Sequence, residues 1–440
     1  MGSKWEKIKL KEVVDIITTK VDVSQISLCD YISTENMLTN FGGISIANSK
    51  PSTGKITKFH SGDILFSNIR TYFKKLWLAD RTGGCSNDVI VFRPKKNINS
   101  NYILSVLMDQ KFIEHTVLTS KGTKMPRGDK TAILDYEFNL APDKYCQHIA
   151  KTNTLIFSKL KSNEVINKSL EQMSQTLFKS WFVDFDPVID NALDAGNPIP
   201  EALQSRAELR QKVRNSADFK PLPAEIRSLF PSEFEETELG WVPKGWNISL
   251  AGEEFIVKGG STPSTANEDF WINGTIHWTS PKDLTGNQSK VLLDTAKKIT
   301  PLGLTKISSG LLPVNTVLMS SRAPIGYLAI SKVPMAINQG YIAIPSAKHL
   351  SPEYTIYWLD NIMDDIKGMA GGTTFAEISK SAFKTIKLLI PSSDIITEFS
   401  RITRNHFDMV VQNTKEIDSL TNLRDTLLPK LISGELSLED

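Results

Sequence analysis

The chain has 440 residues, of which 40% are hydrophobic and 23% charged, with a formal net charge of +2, as is typical of a globular protein of two or three domains. No apolar run approaches the roughly 20 residues that cross a bilayer, and the N-terminal segment lacks the apolar core of a signal peptide. The three distant cysteines, Cys29, Cys85 and Cys146, favour neither a disulfide framework nor a zinc site, so we expect a reduced, cytoplasmic protein without membrane contact.

Charge is distributed unevenly along the chain. Residues 51–130 hold 14 basic and 6 acidic side chains, whereas residues 184–239 hold 6 basic and 12 acidic ones. This segregation favours a polyanionic partner for the first stretch and not for the second. Two ordinary solvated faces would explain the charges equally well, so other features of the sequence have to decide.

The two halves of the chain repeat each other. Residues 87–94 (NDVIVFRP) match residues 338–345 (NQGYIAIP) at an offset of 251, and residues 170–178 match residues 420–428 at an offset of 250. Three further matches follow the same order at an offset near 250, which chance does not explain. The sequence therefore predicts a tandem duplication, in which each copy is a whole domain followed by a long connector.

In chain order, the first copy is predicted to begin with a domain of mixed strands and helix at residues 1–145. A β-type run at 89–92 and a helical stretch at 102–112 alternate with turn residues. A long helix is predicted at 146–182, because apolar residues spaced by seven are typical of a coiled coil. The row consists of Ile149, Ile156, Asn163, Leu170 and Leu177, with Ile166 and Met173 in a partial second row.

Residues 183–240 separate the two copies and are rich in proline and acidic residues. We predict a connector with one helix at 201–213. The carboxylates of Asp184 and Asp186 are expected to be solvated there.

The second copy is predicted to hold a domain at 241–394, with a strand at 341–344 and a helix at 354–366, and a second long helix at 395–440. The seven-residue row of this helix is Phe399, His406, Asn413, Leu420 and Leu427, joined by Ile402, Met409 and Leu423. Asn163 and Asn413 occupy equivalent positions in the two rows. One buried asparagine can fix the register of a helix pair, although a hydrated, splayed pair would also account for both.

No catalytic motif is found in the sequence. The phosphate-binding loop GxxxxGK(S/T), the (N/D)PPY tetrapeptide of adenine methyltransferases and a glycine-rich cofactor loop after a strand are all absent. The six histidines are scattered without the spacing of metal ligands. We therefore predict a protein that is not an enzyme and that has no cofactor and no metal.

Residues 170–188 (LEQMSQTLFKSWFVDFDPV) resemble the central spacer of the specificity subunits of type I restriction-modification systems. Residues 230–246 are similar to the start of the second recognition domain in this family, 371–391 to the close of that domain, and 426–436 to the usual ending. The similar segments follow the family's order over the whole chain, and the 170–188 run is highly specific.

The resemblance implies an α+β fold with two similar target-recognition domains, joined by two long antiparallel coiled-coil helices, as a tandem duplication with pseudo-two-fold symmetry. It implies binding to a bipartite target in double-stranded DNA, together with two methyltransferase subunits and with motor-nuclease subunits. Trp181 and Phe182 are candidate contacts of the methyltransferase, unless they only cap the helical seam.

Donors and acceptors on loops read base identity, while Lys and Arg on phosphates provide affinity. Two polar and basic loops of the first domain, at 67–75 and 121–130, fit these roles, and the second domain holds less basic counterparts. The candidate DNA-contacting residues are Asn68, Arg70, Tyr72, Lys74, Lys75, Lys121, Thr123, Lys124, Arg127, Lys130, Ser320, Ser321, Arg322, Gln339, Thr373 and Thr374.

Two other functions stay open from the sequence. One is a DNA adenine methyltransferase with a fused recognition domain, against which the missing cofactor and base-pocket motifs argue. The other is a coiled-coil scaffold without a nucleic-acid role, against which the basic first domain argues.

Overall fold

The chain forms two compact units in a computed structural model. Unit 1 contains residues 1–162 and 416–440, and unit 2 contains residues 163–415. The structure describes residues 5–285, 289–322, 324–371 and 376–436. Each unit combines helices with antiparallel and mixed sheets, in agreement with the predicted α+β class.

The strands of unit 1 are β1 (Glu6–Lys9), β2 (Val14–Ile16), β3 (Lys20–Asp22), β4 (Tyr31–Ile32), β5 (Lys55–Phe59), β6 (Ile64–Ser67), β7 (Leu76–Leu78), β8 (Gly83–Cys85), β9 (Val89–Pro94) and β10 (Glu137–Leu140). Its helices are α1 (Leu10–Val13), α2 (Ser100–Met108), α3 (Gln110–Leu118), α4 (Lys130–Leu134) and the first half of α5 (Asp143–Phe182). The strands pair in the orders β2–β9–β6–β7 and β3–β5–β8–β4, and β1 pairs with β10.

The core of unit 1 lies where the apolar residues of β6, β9 and α3 meet. Phe66, Phe92 and Phe112 are fully buried, and the rings of Phe66 and Phe112 lie 5.7 Å apart. The antiparallel register aligns Ser67 at the end of β6 with Val89 at the start of β9. The loop that follows β6 therefore lies at that end of the sheet.

The strands of unit 2 are β11 (Phe234–Thr237), β12 (Gly240–Pro243), β13 (Asn247–Leu250), β14 (Phe255–Lys258), β15 (Ile276–Thr279), β16 (Val291–Leu292), β17 (Lys297–Ile299), β18 (Val317–Ser320), β19 (Leu328–Ser331), β20 (Met335–Ile337), β21 (Tyr341–Ala347) and β22 (Lys387–Ile390). Its other helices are α6 (Asp186–Ala195), α7 (Glu201–Arg214), α8 (Ala224–Arg227), α9 (Ala251–Glu254), α10 (Pro281–Leu284), α11 (Pro301–Leu304), α12 (Pro352–Asn361), α13 (Met363–Gly368), α14 (Lys380–Lys384) and α15 (Ser393–Ser433). The sheets have the orders β14–β21–β18–β19–β16 and β17–β15–β20, with the pairs β13–β22 and β11–β12.

The duplication extends from the sequence to the strand topology. β18 pairs with β21 and β19 in unit 2, as β6 pairs with β9 and β7 in unit 1. The strand–helix–strand segment β13–α9–β14 likewise repeats β1–α1–β2, with the first strand paired to the last strand of its domain each time. The predicted tandem duplication is thus confirmed at the level of hydrogen-bonded strands.

Each helical stretch predicted inside the two domains is a pair of helices. In unit 1 the stretch expected at 102–112 is divided at Asp109, whose carboxylate accepts a hydrogen bond from the Lys111 amide and caps α3. In unit 2 the division falls at Ile362, between α12 and α13. Among the described residues, no helix combines the length and the apolar character that crossing a membrane requires.

The segment expected to be a connector with one helix at 201–213 folds into helices α6, α7 and α8, held by a ladder of ion pairs, and α7 is the predicted helix. Asp186 pairs with Arg206, Asp190 with Arg210, and Asp194 with Arg214, each across 20 residues of sequence. The expectation that Asp186 is solvated is wrong, since the residue is only 3% exposed and both its carboxylate oxygens accept hydrogen bonds from Arg206. Hydrogen bonds to this carboxylate in turn raise the pKa of Arg206.

The ladder predicts a large effect of Arg210→Met on the stability of unit 2. Asp190 is 5% exposed, and Arg210 donates to both of its carboxylate oxygens, at 2.9 and 2.7 Å. Methionine keeps the apolar stem but leaves a buried carboxylate without this partner, so we expect the free energy of unfolding to fall by about 3 kcal/mol in urea titrations.

Arg401→Met is the matched control for Arg210→Met. Arg401 pairs with Glu398 on the surface of α15 and its side chain is 62% exposed, so its loss should cost about 0.5 kcal/mol. Equal effects of the two substitutions would contradict the structural role of the ladder.

The long helices α5 and α15 pack antiparallel within each unit. In unit 2, Asn413 donates to Asn167 at 2.8 Å, and Ser174 and His406 are hydrogen-bonded at 2.8 Å. Residue numbers thus increase along α5 where they decrease along α15, as in an antiparallel pair. In unit 1, Lys159 forms an ion pair with Glu416 at 3.2 Å. The Asn167–Asn413 bond is the polar contact that a register-fixing role of the asparagines requires.

The second row of the helical seam differs from the predicted one. Met173, Met409 and Leu423 are 56%, 48% and 47% exposed, so assigning them to the seam is wrong. The second row instead lies four residues after the first. It consists of Asn153, Leu160, Asn167, Ser174 and Trp181 on α5, and of Thr403, Val410, Ile417, Arg424 and Leu431 on α15. Several of these residues are polar, and a search for apolar residues alone therefore misses the row.

Candidate nucleic-acid interface

The two predicted loops of the first domain meet in unit 1. The backbone of Arg127 forms β-bridges to Ile69 on one side and to Lys121 on the other. The Arg70 amide donates to the Pro126 carbonyl at 2.9 Å, next to these bridges. The loops at 67–75 and 121–130, which are distant in sequence, thus lie side by side as three short paired segments, around Ile69, Lys121 and Arg127. We call this arrangement the loop frame of unit 1.

Ion pairs hold the basic side chains of this frame in place. Arg127 lies 2.9 Å from the carboxylate of Asp88, which follows β8 in sequence, and Lys121 lies 2.5 Å from that of Asp129. Hydrogen bonding between Lys121 and Asp129 raises the pKa of the lysine and lowers the pKa of the aspartate. Both cations remain exposed on the surface of the unit.

Other predicted contacts in the frame are exposed to solvent. Arg70, Lys124 and Lys130 are exposed, and within the described part of the chain none of the three has an ion-pair partner. Tyr72 and Thr123 are exposed as well. These side chains form an exposed polar and basic surface, with the residue types that contact phosphates and base edges.

Three predicted contacts are instead used inside the unit. Asn68 is 8% exposed, and its backbone donates to Asp88 and accepts from Gly128, so it joins the loops. Lys75 donates to the Thr34 carbonyl at 2.6 Å, and burial lowers its pKa. Lys74 is half-buried with its ammonium 5.9 Å from the centre of the Phe41 ring. Contact of these three residues with DNA stays a prediction, and the exposed residues of the frame are the stronger candidates.

Unit 2 contains the same frame with a different side chain at its centre. Glu377 forms backbone bridges to Arg322 and to Gly371, in the positions where Arg127 bridges Ile69 and Lys121. The Arg322 guanidinium lies 3.6 Å from the Glu377 carboxylate. The second frame is thus close to neutral, whereas the first is basic.

The remaining predicted contacts of unit 2 fall into three groups. Ser320 and Ser321 are buried, and the Ser320 hydroxyl donates to the Pro324 carbonyl and accepts from the Tyr327 amide, so their contact with DNA stays a prediction that this burial does not favour. Gln339 is exposed and accepts a hydrogen bond from the Thr262 hydroxyl at 2.7 Å. Thr373 and Thr374 lie outside the described residues.

Trp181 and Phe182, the candidate contacts of the methyltransferase, are buried in this structure. They are 1% and 7% exposed, and both rings pack against Phe399 of α15 in the core of unit 2. Phe182 also contacts the ring of Tyr354. This packing favours the alternative in which the two residues close the seam, and a contact with the methyltransferase stays a prediction.

Asp88, Phe73 and Glu377 are not among the candidates predicted from the sequence. Asp88 stands within the repeated 87–94 motif but before the β-type run predicted at 89–92, and Phe73 lies in the predicted loop at 67–75, next to the candidate Tyr72. Glu377 lies 250 residues after Arg127, so the repeat offset alone would have identified it. Within the described ranges, no group of three or more His, Cys, Asp or Glu side chains is arranged to hold a metal ion.

Comparisons with known proteins place both frames in one family. The profile described as the type I restriction modification DNA specificity domain matches the chain twice, at residues 2–172 and 243–420. The HindI specificity subunit of Haemophilus influenzae is 26% identical over 461 residues, covering 99% of this chain and 100% of its own length. The MjaIX specificity subunit of Methanocaldococcus jannaschii is 32% identical over 193 residues, which are 43% of this chain and 44% of the relative.

A solved structure has the same fold. The crystal structure of the S subunit of a type I restriction-modification system from M. genitalium aligns with a TM-score of 0.56 at 15% identity, covering 98% of this chain and 96% of that one. The two profile matches together span well over half of the sequence, and each contains one of the duplicated domains. The chain therefore belongs to the family of type I restriction-modification DNA specificity subunits.

Proposed function

We propose that this chain is a non-catalytic subunit that reads a bipartite double-stranded DNA target and positions methyltransferase and restriction subunits on it. In this proposal the recognition domains are residues 1–145 and 241–394. The spacer helices are residues 146–182 and 395–440, and residues 183–240 connect the two halves.

The recurrence of the loop frame is the observation that carries the proposal. A reader of two half-sites needs two similar surfaces on similar scaffolds, with different side chains at equivalent points. Arg127 and Glu377 are such a pair, since both lie at the centre of the frame. Arginine favours guanine and glutamate accepts from the amino group of cytosine, so the two frames support half-sites of different sequence.

The proposed contacts differ in role between the two domains. In the first, we assign base or phosphate contacts to the exposed residues Arg70, Tyr72, Lys121, Thr123, Lys124, Arg127 and Lys130. In the second, Arg322 and Gln339 are assigned, and Thr373 and Thr374 stay candidates. The nearly neutral second frame provides less phosphate affinity, for which a methyltransferase subunit would compensate.

The proposed partners follow from the family. The relatives are named as specificity subunits of type I restriction enzymes, which supports assembly with two methyltransferase subunits and with motor-nuclease subunits in the cytoplasm.

The two alternative functions are separated from the proposal by simple measurements. A methyltransferase would bind a methyl donor, and calorimetry of the purified chain with S-adenosylmethionine tests this. A scaffold would bind DNA neither tightly nor with the steep salt dependence that phosphate contacts produce. A DNA titration at several salt concentrations therefore separates a reader from a scaffold.

Arg70→Ala tests the assignment of the first loop frame. Loss of a base-reading arginine should weaken binding to the recognised sequence by about 1–3 kcal/mol and relax specificity in one half-site only. Binding is measured with oligonucleotides that vary one half-site at a time. Loss that is uniform over all sequences would make Arg70 a phosphate contact, and no loss would remove it from the interface.

Lys96→Ala is the matched control for Arg70→Ala. Lys96 is an exposed cation that follows β9, whereas the loop frame lies at the other end of this strand, where Ser67 pairs with Val89. Its replacement removes the same charge and should leave the affinity for the target unchanged.

A further inference from the structure

Two large aromatic rings project from the loop frame of unit 1. Tyr72 and Phe73 are 48% and 38% exposed, and their ring centroids lie 4.7 Å apart. They occupy the tip of the hairpin between β6 and β7, directly between Arg70 and Lys74. Neighbouring aromatic rings of this size at the tip of a turn form an apolar surface that is partly open to solvent.

The backbone of this tip is held in a strained conformation. Arg70 and Lys74, on either side of the two rings, have φ angles of +48° and +53°, in the left-handed region that non-glycine residues rarely adopt. Phe41, which packs beside the tip, has a φ of +63°. Such strain persists only where surrounding contacts over-determine it, and it is concentrated at functional sites.

Hydrogen bonds fix the strained tip from both sides. The Phe73 carbonyl accepts from the Asn40 amide at 3.0 Å, and the Lys74 carbonyl accepts from the Phe41 amide at 2.8 Å. On the other side, the Arg70 amide donates to Pro126. The rings are therefore presented by a rigid turn and not by a loose loop.

The charged side chains around the tip favour a polyanion as the binding partner of the two rings. The frame that carries the rings also carries the exposed cations Arg70, Lys124 and Arg127. If the partner of the rings were an apolar protein surface, these positive charges would have no role. DNA, in contrast, offers stacked bases for the rings and, beside them, phosphates for the cations. Apolar side chains that enter such a stack between two bases partly unstack it and stack on the exposed base face.

We propose that Tyr72 and Phe73 form an aromatic wedge, which inserts into a base step of the half-site read by the first domain and unstacks it. This inference rests on the proposed function, because it requires that the first loop frame bind DNA. The cations of the frame hold the backbone while the rings enter the stack. The wedge adds recognition of a deformable base step to the direct reading of base edges.

The second domain lacks such a pair of rings, so the two half-sites are expected to differ. The equivalent loop after β18, residues 321–327, has the sequence SRAPIGY and contains no adjacent pair of aromatic residues. Ile325, at its centre, is partly buried against the core of unit 2. Unstacking is thus expected in one half-site and not in the other.

Scanning the recognised site with 2-aminopurine, which becomes fluorescent when it is unstacked, tests the proposal. The probe replaces adenines one at a time in both half-sites and their flanks, excluding the methylated adenines, and is bound by the full chain in the complex that co-purifies with it. We expect a fluorescence increase at one step of the first half-site only. The double variant Tyr72→Ala/Phe73→Ala should abolish it and weaken binding about 5- to 100-fold.

Two further variants serve as controls. Tyr72→Phe/Phe73→Tyr keeps both rings and should keep the signal, so a loss caused by misfolding of the alanine variant would be recognised. Leu118→Ala removes an apolar side chain that is 85% exposed on the same unit but outside the frame, and should change nothing. The salt dependence of binding should stay the same in the double alanine variant, because no phosphate contact is lost.

Several outcomes would overturn the wedge. One is sequence-specific binding without any fluorescence increase, and a second is an increase that survives the double alanine variant. A third is unchanged DNA binding by that variant together with loss of a co-purifying subunit, which would make the rings a protein contact. Binding without any sequence preference would overturn the proposed function itself, and the wedge with it.

Discussion

Replacing Trp181 by alanine is expected to lower the free energy of unfolding of unit 2 by about 3–5 kcal/mol, as is usual when a fully buried aromatic side chain is truncated. Trp181 is 1% exposed, and its ring lies 5.1 Å from that of Phe230 and 6.1 Å from that of Phe399. The substitution therefore leaves a cavity where the connector, α5 and α15 meet within unit 2. Urea unfolding followed by circular dichroism measures the loss.

Met173→Ala is the matched control for Trp181→Ala. Met173 lies on the same helix and is 56% exposed, so its truncation should change the free energy of unfolding by less than about 0.5 kcal/mol. Trp181→Phe should recover part of the loss, because a smaller ring fills part of the cavity. If Trp181→Ala left stability unchanged while methyltransferase binding was lost, the ring would be a partner contact after all.

The fragment 1–234 is expected to form a symmetric homodimer that binds a palindromic target made of the first half-site and its inverted copy. Removal of the second half uncovers the seam of α5, including Phe178, and a soluble monomer rarely leaves such a stripe exposed. The repeat relates each residue of α5 to the residue of α15 that lies 250 positions later. In the homodimer, α5 of the second copy would take the place of α15, and this offset says which of its residues make each contact. Because Asn413 corresponds to Asn163, Asn163 of one copy would face Asn167 of the other, which preserves the observed asparagine contact.

Light scattering and binding to inverted repeats test the homodimer. Leu160→Glu places a charge in the seam, where Leu160 is 8% exposed, and should abolish the dimer. Leu155→Glu, at a position that is 59% exposed on the same helix, should not affect it. A stable monomer of the unsubstituted fragment, or a dimer without preference for inverted repeats, would contradict the prediction.

The duplication could be predicted from sequence because both copies retain short motifs in the same order. Residues 87–94 and 338–345 include most of β9 and β21, which occupy equivalent places in their sheets. The first row of the helical seam was found for the same reason. The second row was not, since Asn153, Ser174 and Thr403 are buried through hydrogen bonds that a search for apolar residues does not detect.

The connector shows which sequence signal was overlooked. The prediction was a connector with one helix at 201–213, yet aspartates at 186, 190 and 194 and arginines at 206, 210 and 214 each recur every four residues. This spacing places each set on one face of a helix, so two helices with opposite charge could have been predicted to pair. The composition of a segment does not reveal this four-residue spacing, because it counts residues without regard to their positions.

The candidate site was predictable as a pair of loops but not residue by residue. Local charge identified both segments, and the structure joins them through Arg127. Which side chains face solvent depends on partners far along the chain, such as the Thr34 carbonyl, which accepts from the Lys75 ammonium. Those contacts follow from the tertiary fold and leave no local signature in the sequence.

Mapping methylated adenines across the genome of the host, with and without an intact gene for this chain, shows directly whether the chain reads a bipartite DNA target. We expect methylation at a motif of two short defined sequences separated by a fixed gap, which disappears when the gene is deleted. Exchange of residues 121–130 for those of a relative should change one half of the motif and leave the other intact. A methylation pattern that is unchanged by the deletion, or a motif that changes in both halves after the loop exchange, would contradict it.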